Sequence, residues 1–352
     1  METQNTKKNS KNSTANPKKK INLALQGGGS HGAFTWGVID RLLEDGRIEI
    51  EGISGTSAGA MNASVTAYGL AIGGAEGARQ KLKEFWNLTS QAGQKGPLRP
   101  SQLDKMLSVG NMDYSPNYLF FDFLAKVMSP YELNPLNVNP LRDVLAQTVD
   151  FDKLRDSDSC KLFIAATNVG NGHLRVFENK EISLDAVLAS ACLPFLFQAV
   201  EIEGEHYWDG GYIGNPPLFP LITQTESPDI LIIQINPVNI KQMPKNSREI
   251  LDRINTLSFN SSLMRELRAV HFVTNLIDNG ELSQDKHKRV FIHTIEAESI
   301  VEGLGVSSKL NTDAEYLKYL FEGGRKLASQ FLEEHFDKIG NQSSTDLATK
   351  FM

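Results

Sequence analysis

The sequence predicts an α/β fold in which a mostly parallel sheet is covered by helices. Three observations carry that expectation. Ile21 to Gln26 is a short apolar run that meets three glycines, Gly27, Gly28 and Gly29, as a buried strand meets a sharp turn. The next segment has apolar residues at Phe34, Val38, Leu42 and Leu43, close to helical spacing, with Gly46 as a stop. The unit then repeats at once: Arg47 to Ser54 reads as a second strand, and Ala58 to Ala71 as a helix rich in small residues. Strand–turn–helix units in succession are the mark of a parallel sheet with helical cover.

The remaining elements follow in order. From 91 to 140 the pattern loosens into Pro, Gly, Asn and Ser around one aromatic block, which reads as a cap or insertion. Cys160 to Val169 and His173 to Asn179 read as paired strands joined at Gly170-Asn171-Gly172, and Ser183 is placed as the N-cap of a helix. Val200 to Gly211 reads as a strand or hairpin ending in glycines. Asp229 to Pro237 is the most strand-like run in the chain. A helix over 247–277, a strand over 289–295 and a helix over 312–339 complete one catalytic domain spanning 21–340, with 1–20 and 341–352 expected to be a disordered and a frayed tail.

Composition narrows the function classes. A chain of 352 residues with 40% hydrophobic and 22% charged residues buries a large core. Its net charge of -6 gives no footprint for nucleic acid. Cys160 and Cys192 are too few for a disulfide framework or a zinc site and read as buried thiols, so no metal is expected. Lys7, Lys8, Lys11, Lys18, Lys19 and Lys20 crowd the first twenty residues. This is a solvated arm or an electrostatic tether to anionic lipid. No apolar run follows as in a secretory signal, and none is long enough to span a bilayer. A cytoplasmic protein that visits membrane surfaces is the expectation.

Three motifs carry chemistry. Gly55-Thr56-Ser57-Ala58-Gly59 matches Gly-x-Ser-x-Gly, with tiny residues two positions either side of a serine on a tight strand-to-helix turn. The helix N-terminus favours negative charge beside that serine. Gly27-Gly28-Gly29-Ser30-His31-Gly32 also lies between a strand and a helix. Its backbone N–H groups are suited to an oxyanion, and Gly27, Gly28, Gly29 and Gly32 are the candidate residues. The same loop satisfies the dinucleotide fingerprint Gly-x-Gly-x-x-Gly, with Glu49 and Glu51 about twenty residues on, where a ribose ligand is expected. On this motif alone a nucleotide-binding α/β protein fits equally well. The third motif is Asp209-Gly210-Gly211, an aspartate on a turn that becomes a better general base where apolar surroundings raise its pKa.

Together and in this order, the three motifs resemble the patatin-like phospholipase family, through residues from about Ile21 to Gly214. The resemblance implies a three-layer α/β/α sandwich and a Ser57–Asp209 dyad acting on lipid acyl esters without a cofactor. The Gly27–Gly32 loop would be the oxyanion hole, and Gly55, Gly59, Gly210 and Gly211 supporting positions. Many members carry Arg or Lys where this chain has His31, so charge assistance to the oxyanion would here depend on pH. A Ser-Asp-His triad fits less well, because Ser57 comes on the second predicted strand and none of His271, His287, His293 and His335 lies in a Gly-rich loop. His206, three residues before Asp209, is the histidine to test.

A lipid or a membrane surface is the expected partner. Phe120, Phe123, Leu124 and Val127 share one helical face, which is ordinarily a core face and alternatively a cap or membrane contact. Leu193 to Phe197 is either an acyl-pocket lining or a buried turn.

Overall fold

The computed structural model describes residues 17–240 and 243–351. Eight strands form one sheet: β1 (Lys19–Leu25), β2 (Ile48–Gly55), β3 (Lys161–Asn168), β4 (Leu174–Glu178), β5 (Val200–Ile202), β6 (Glu205–Asp209), β7 (Asp229–Gln234) and β8 (Phe291–Glu296). Strands β3, β2, β1, β7 and β8 lie side by side in that order, β4 and β6 both pair with β3, and β5 pairs with β6. The pairs β3–β2, β2–β1, β1–β7 and β7–β8 are parallel; β4, β5 and β6 add antiparallel pairs at the other end.

Both faces of the sheet are covered. Alternate residues of a strand point to opposite faces. Leu23 and Leu25 of β1 and Leu231 and Ile233 of β7 belong to one core with α1 (Gly32–Asp45), α2 (Ala58–Lys95) and the helix Ala314–His335. Ala24, Ile230 and Ile232 belong to a second core with Leu263 and Leu267 of the helix Ser247–Asp278. Two cores on two faces make three layers.

Several boundaries differ from the sequence reading. β1 starts at Lys19, inside the stretch expected to be a tail. The Lys19 ammonium donates to the carbonyls of Phe336 at 3.0 Å and Ile339 at 2.8 Å, and lies over the Phe336 ring. A lysine whose stem packs while its charge meets helix-end carbonyls is at home in a strand. Lys7, Lys8 and Lys11 lie outside the described residues. The end expected to fray is ordered too. Ser343 accepts from the Ile292 N–H at 3.0 Å, the Thr345 N–H donates to Ile292 O at 3.2 Å, and Leu347 and Phe351 are buried in the second core. α2 is longer than expected, crossing a kink at Gly73 and Gly74. Ser183 caps its helix as expected, accepting from the Ala186 N–H at 3.1 Å.

The stripe at 116–130 is not core. In the helix Pro116–Val127 only Tyr118 is buried, while Phe120 is 65% exposed, Phe123 61% and Val127 68%. Helical periodicity reveals that a helix has an apolar face, and the same pattern serves whether that face meets protein or solvent.

Candidate active site

The sheet itself brings the serine and the aspartate together. Phe163 and Ile164 of β3 pair with β4 and also with β2, whereas Ala166 and Thr167 pair with β4 and also with β6. β2 and β6 therefore lie on the same edge of β3, opposite β4. They run toward each other, one parallel and one antiparallel to β3. Gly55 ends β2 opposite Ile164, and Asp209 ends β6 opposite Ala166. Two residues of strand separate them, about 7 Å. Motifs far apart in sequence thus meet at one gap in the sheet.

At that gap Ser57 stands on a strained turn, with φ 56° and ψ -123°. The turn admits no side chain at the flanking positions. A Cβ on Gly55 would lie 2.5 Å from Gly59 O, and one on Gly59 would lie 2.1 Å from Leu25 O. The Ser57 N–H donates to Ser190 Oγ at 2.9 Å, and Thr56 Oγ1 donates to Gly214 O at 2.7 Å, tying the turn to the loop after Asp209. Ser57 is largely buried at the N-terminus of α2, where the helix dipole favours negative charge.

Asp209 is fully buried. Its Oδ1 accepts from the Gly211 N–H at 2.7 Å, while Oδ2 has no hydrogen-bond partner. Burial pushes its pKa up to about 7, against the pull of the Gly211 N–H, the neighbouring Ser57 hydroxyl and the Lys309 charge. Gly210 and Gly211 pack tightly, a Cβ on the former falling 2.2 Å from Ala165 O and on the latter 2.3 Å from the Phe259 ring. Cys192, whose carbonyl accepts the Asp209 N–H at 2.8 Å, is held up near 12 by burial and stays a thiol.

The Gly-rich loop runs past Ser57, and a Cβ on Gly27 would lie 2.6 Å from Ser57 Cβ. Its four glycines divide into two pairs. The Gly27 N–H is taken by Asn215 Oδ1 at 2.7 Å, and the Gly32 N–H by the carbonyls of Gly29 and Ser30. These two therefore do not offer an oxyanion donor; they allow close approach, Gly32 against Ala58 Cβ. The N–H groups of Gly28 and Gly29 have no acceptor among the described residues. Gly29 has φ 60°, the left-handed region glycine enters most readily.

His31 does not supply charge. It is buried, its Nε2 lies 2.8 Å from Ser308 Oγ, and burial with the nearby Lys309 charge drives its pKa down to about 3. Since Ser308 Oγ donates to Gly305 O at 2.6 Å, the ring donates through Nε2 as a neutral imidazole. His206 is exposed and faces Glu201, with 3.9 Å between Nε2 and Oε2, so it is no part of the site. Among the described residues no group of three or more His, Cys, Asp or Glu side chains is placed to hold a metal ion.

Glu49 and Glu51 lie in the first half of β2, whereas the Gly-rich loop sits beyond the far end of β1, its parallel neighbour. Glu51 is occupied by the N–H groups of Glu226 at 2.6 Å and Ser227 at 2.8 Å. Neither carboxylate is at the loop end of the sheet, where a dinucleotide ribose is held.

Residues 23–222, more than half of the chain, match the patatin-like phospholipase family model. The chain belongs to that family. Among solved structures it is similar to VipD from Legionella pneumophila, at 16% identity and TM-score 0.44, over 95% of this chain and 73% of that one. It is also similar to the type III effector protein ExoU, at 16% identity and TM-score 0.34, over 90% of this chain and 53% of that one. ExoU of Pseudomonas aeruginosa in complex with SpcU gives 14% identity and TM-score 0.35, over 90% and 53% of the chains. No curated protein matches the chain.

Four side chains that the motifs do not contain help build this site: Ser190, Asn215, Asn236 and Lys309. Asn236 Nδ2 donates to Gly27 O at 2.7 Å, and Lys309 Nζ donates to Asn236 Oδ1 at 2.8 Å. Asn-Pro pairs at 215–216 and 236–237 favour turns and are a signal that points to Asn215 and Asn236, although Asn236 falls within the run that reads as a strand; nothing local marks Ser190 or Lys309.

Proposed function

We propose that the protein hydrolyses lipid acyl esters with Ser57 as nucleophile and Asp209 as general base, through an acyl-enzyme. The observation that carries this reading is Asp209 Oδ2. It is a buried carboxylate oxygen with no hydrogen-bond partner, on a group that feels the Ser57 hydroxyl and whose pKa of about 7 suits proton transfer at neutral pH.

In this mechanism Ser57 Oγ attacks the ester carbonyl and its proton passes to Oδ2. The carbonyl oxygen takes the negative charge and meets the N–H groups of Gly28 and Gly29, assisted by the α2 N-terminus. Collapse of the tetrahedral intermediate breaks the ester C–O bond, and the leaving alcohol takes the proton from Asp209. Water then attacks the acyl-Ser57 carbonyl, giving its proton to Asp209. The second collapse frees the fatty acid and returns that proton to Ser57 Oγ.

The apolar face of the helix Pro116–Val127 is proposed as the contact with the lipid surface. Its neighbour, the segment from Tyr131 to Asn134, is tied to the chain that leads to Asp209. Tyr131 Oη accepts from the Ala199 N–H at 3.3 Å, and Gln198 Nε2 donates to Asn134 O at 2.9 Å. A docked bilayer would therefore meet the approach to the dyad. Among the described residues no helix is long and apolar enough to cross a membrane.

The test is release of fatty acid from phospholipid vesicles and from a water-soluble acyl ester by wild type, Ser57→Ala and Asp209→Asn. The reading expects turnover by wild type and loss in both variants. Wild-type turnover by Ser57→Ala would refute it.

A further inference from the structure

The motifs place N–H groups and a carboxyl around Ser57, but no positive charge. His31, the one candidate for charge within them, is neutral. We infer that Lys309, from a turn late in the chain, is the cation of this site. Its ammonium lies beside the Gly-rich loop and stabilises the negative charge that develops on the substrate oxygen there. The inference rests on the acyl-hydrolase reading.

The geometry starts at the backbone. Lys309 lies directly on the loop: a Cβ on Gly29 would fall 2.3 Å from Lys309 O and 3.2 Å from its Cβ. From there the side chain is wired back to Ser57. The ammonium donates to Asn236 Oδ1 at 2.8 Å, and Asn236 Nδ2 donates to Gly27 O at 2.7 Å. Gly27 in turn lies against Ser57 Cβ. Asn236 is itself fixed, its N–H and that of Ile235 both donating to Gln26 Oε1 at 2.8 and 2.9 Å. Among the described residues no second acceptor takes the other ammonium hydrogens. Lys309 and His31 line one cavity of about 510 Å³.

The charges around the ammonium come from four directions. Asp209 faces it from β6 and His31 from the Gly-rich loop. Glu249, Asp252 and Arg253 face the shared cavity from the helix Ser247–Asp278, and Glu298 and Glu302 from the short helix Glu298–Val301 and its end. Burial pulls the Lys309 pKa down to about 8, while Asp252 and Asp209 hold it up. The ammonium is therefore present at neutral pH and is lost as pH rises through about 8. Lys309 is the one cation among the described residues whose charge acts on Asp209. Charge in a site closed to water is felt more strongly than at a surface.

The experiment compares Lys309→Met and Lys309→Arg with wild type on a water-soluble, phosphate-free acyl ester across pH 6 to 10, and in parallel on phospholipid vesicles. Lys309→Met is expected to lower kcat about 10- to 100-fold with KM within about twofold, and to abolish the alkaline limb near pH 8. Lys309→Arg is expected to restore part of kcat and move that limb beyond pH 10, because guanidinium does not titrate there. If Lys309→Met does not fold, the displaced limb of Lys309→Arg carries the test alone. Wild-type kcat in folded Lys309→Met, an alkaline limb unchanged in both variants, or a defect confined to phospholipid substrates would each overturn the inference. The last result would assign the lysine to a headgroup phosphate. Ser57→Ala separates the two levels: if it stays active, the hydrolase reading fails. If it is inactive while Lys309→Met matches wild type, only the lysine inference fails.

Discussion

Replacing Asp209 by Asn should stabilise the fold, and by an amount that depends on pH. The wild-type carboxyl has an ordinary pKa of 3.8 when unfolded and about 7 when folded, chiefly because it is buried. The folded state therefore holds a proton between those values that the unfolded chain has released, so stability falls as pH rises through this window. The penalty is absent below the unfolded value and complete above the folded one. At 1.36 kcal/mol per pKa unit it reaches about 4 kcal/mol. Asn fits the same space. Its carbonyl can keep the Gly211 N–H bond, and its amide replaces Oδ2, which has no partner to lose. Urea unfolding at pH 4, 5.5, 7 and 8 is the assay. Asp209→Asn should match wild type at pH 4 and exceed it increasingly up to pH 7, with little change beyond. A variant less stable than wild type at pH 8, or a difference that does not change with pH, would refute the reasoning that this carboxylate is held at a cost for its chemistry.

Three further outcomes follow from the same geometry. Gly59→Ala places a methyl 2.1 Å from Leu25 O, a backbone atom that cannot swing aside, so denaturant unfolding should show a loss of about 3 kcal/mol or more, or no soluble protein. Phe120→Ser with Phe123→Ser removes exposed apolar surface; stability should stay within about 1 kcal/mol, while turnover on vesicles falls and turnover of a soluble ester does not. Turnover of that soluble ester should rise as pH increases through about 7, where Asp209 loses its proton, and the wild-type pH profile checks this.

Much of this was legible in the sequence because it is local. A strand ending in glycines, a serine between glycines and an aspartate before two glycines each declare a turn within a few residues. The observed elements begin and end close to those signals. What was hidden depends on distant partners. Lys19 reads as part of a basic tail until the carbonyls of Phe336 and Ile339 are placed above it. The polar stretch after Gly340 looks frayed until Ser343 and Thr345 are seen bonding to β8. The stripe at Phe120 and Phe123 has the periodicity of a core helix and turns it to solvent. His31 sits in the expected loop, but whether it carries charge is decided by burial and by Lys309, neither of which its neighbours in sequence reveal. Gly27 and Gly32 look equivalent to Gly28 and Gly29 until Asn215 and the loop's own carbonyls occupy their N–H groups.

The most direct test of the central claim is covalent labelling with a fluorophosphonate, with the modified residue located by peptide mass spectrometry. One label per chain is expected on Ser57, with no label in Ser57→Ala and much slower labelling in folded Asp209→Asn. Labelling of another residue, or labelling of Asp209→Asn at the wild-type rate, would contradict that claim.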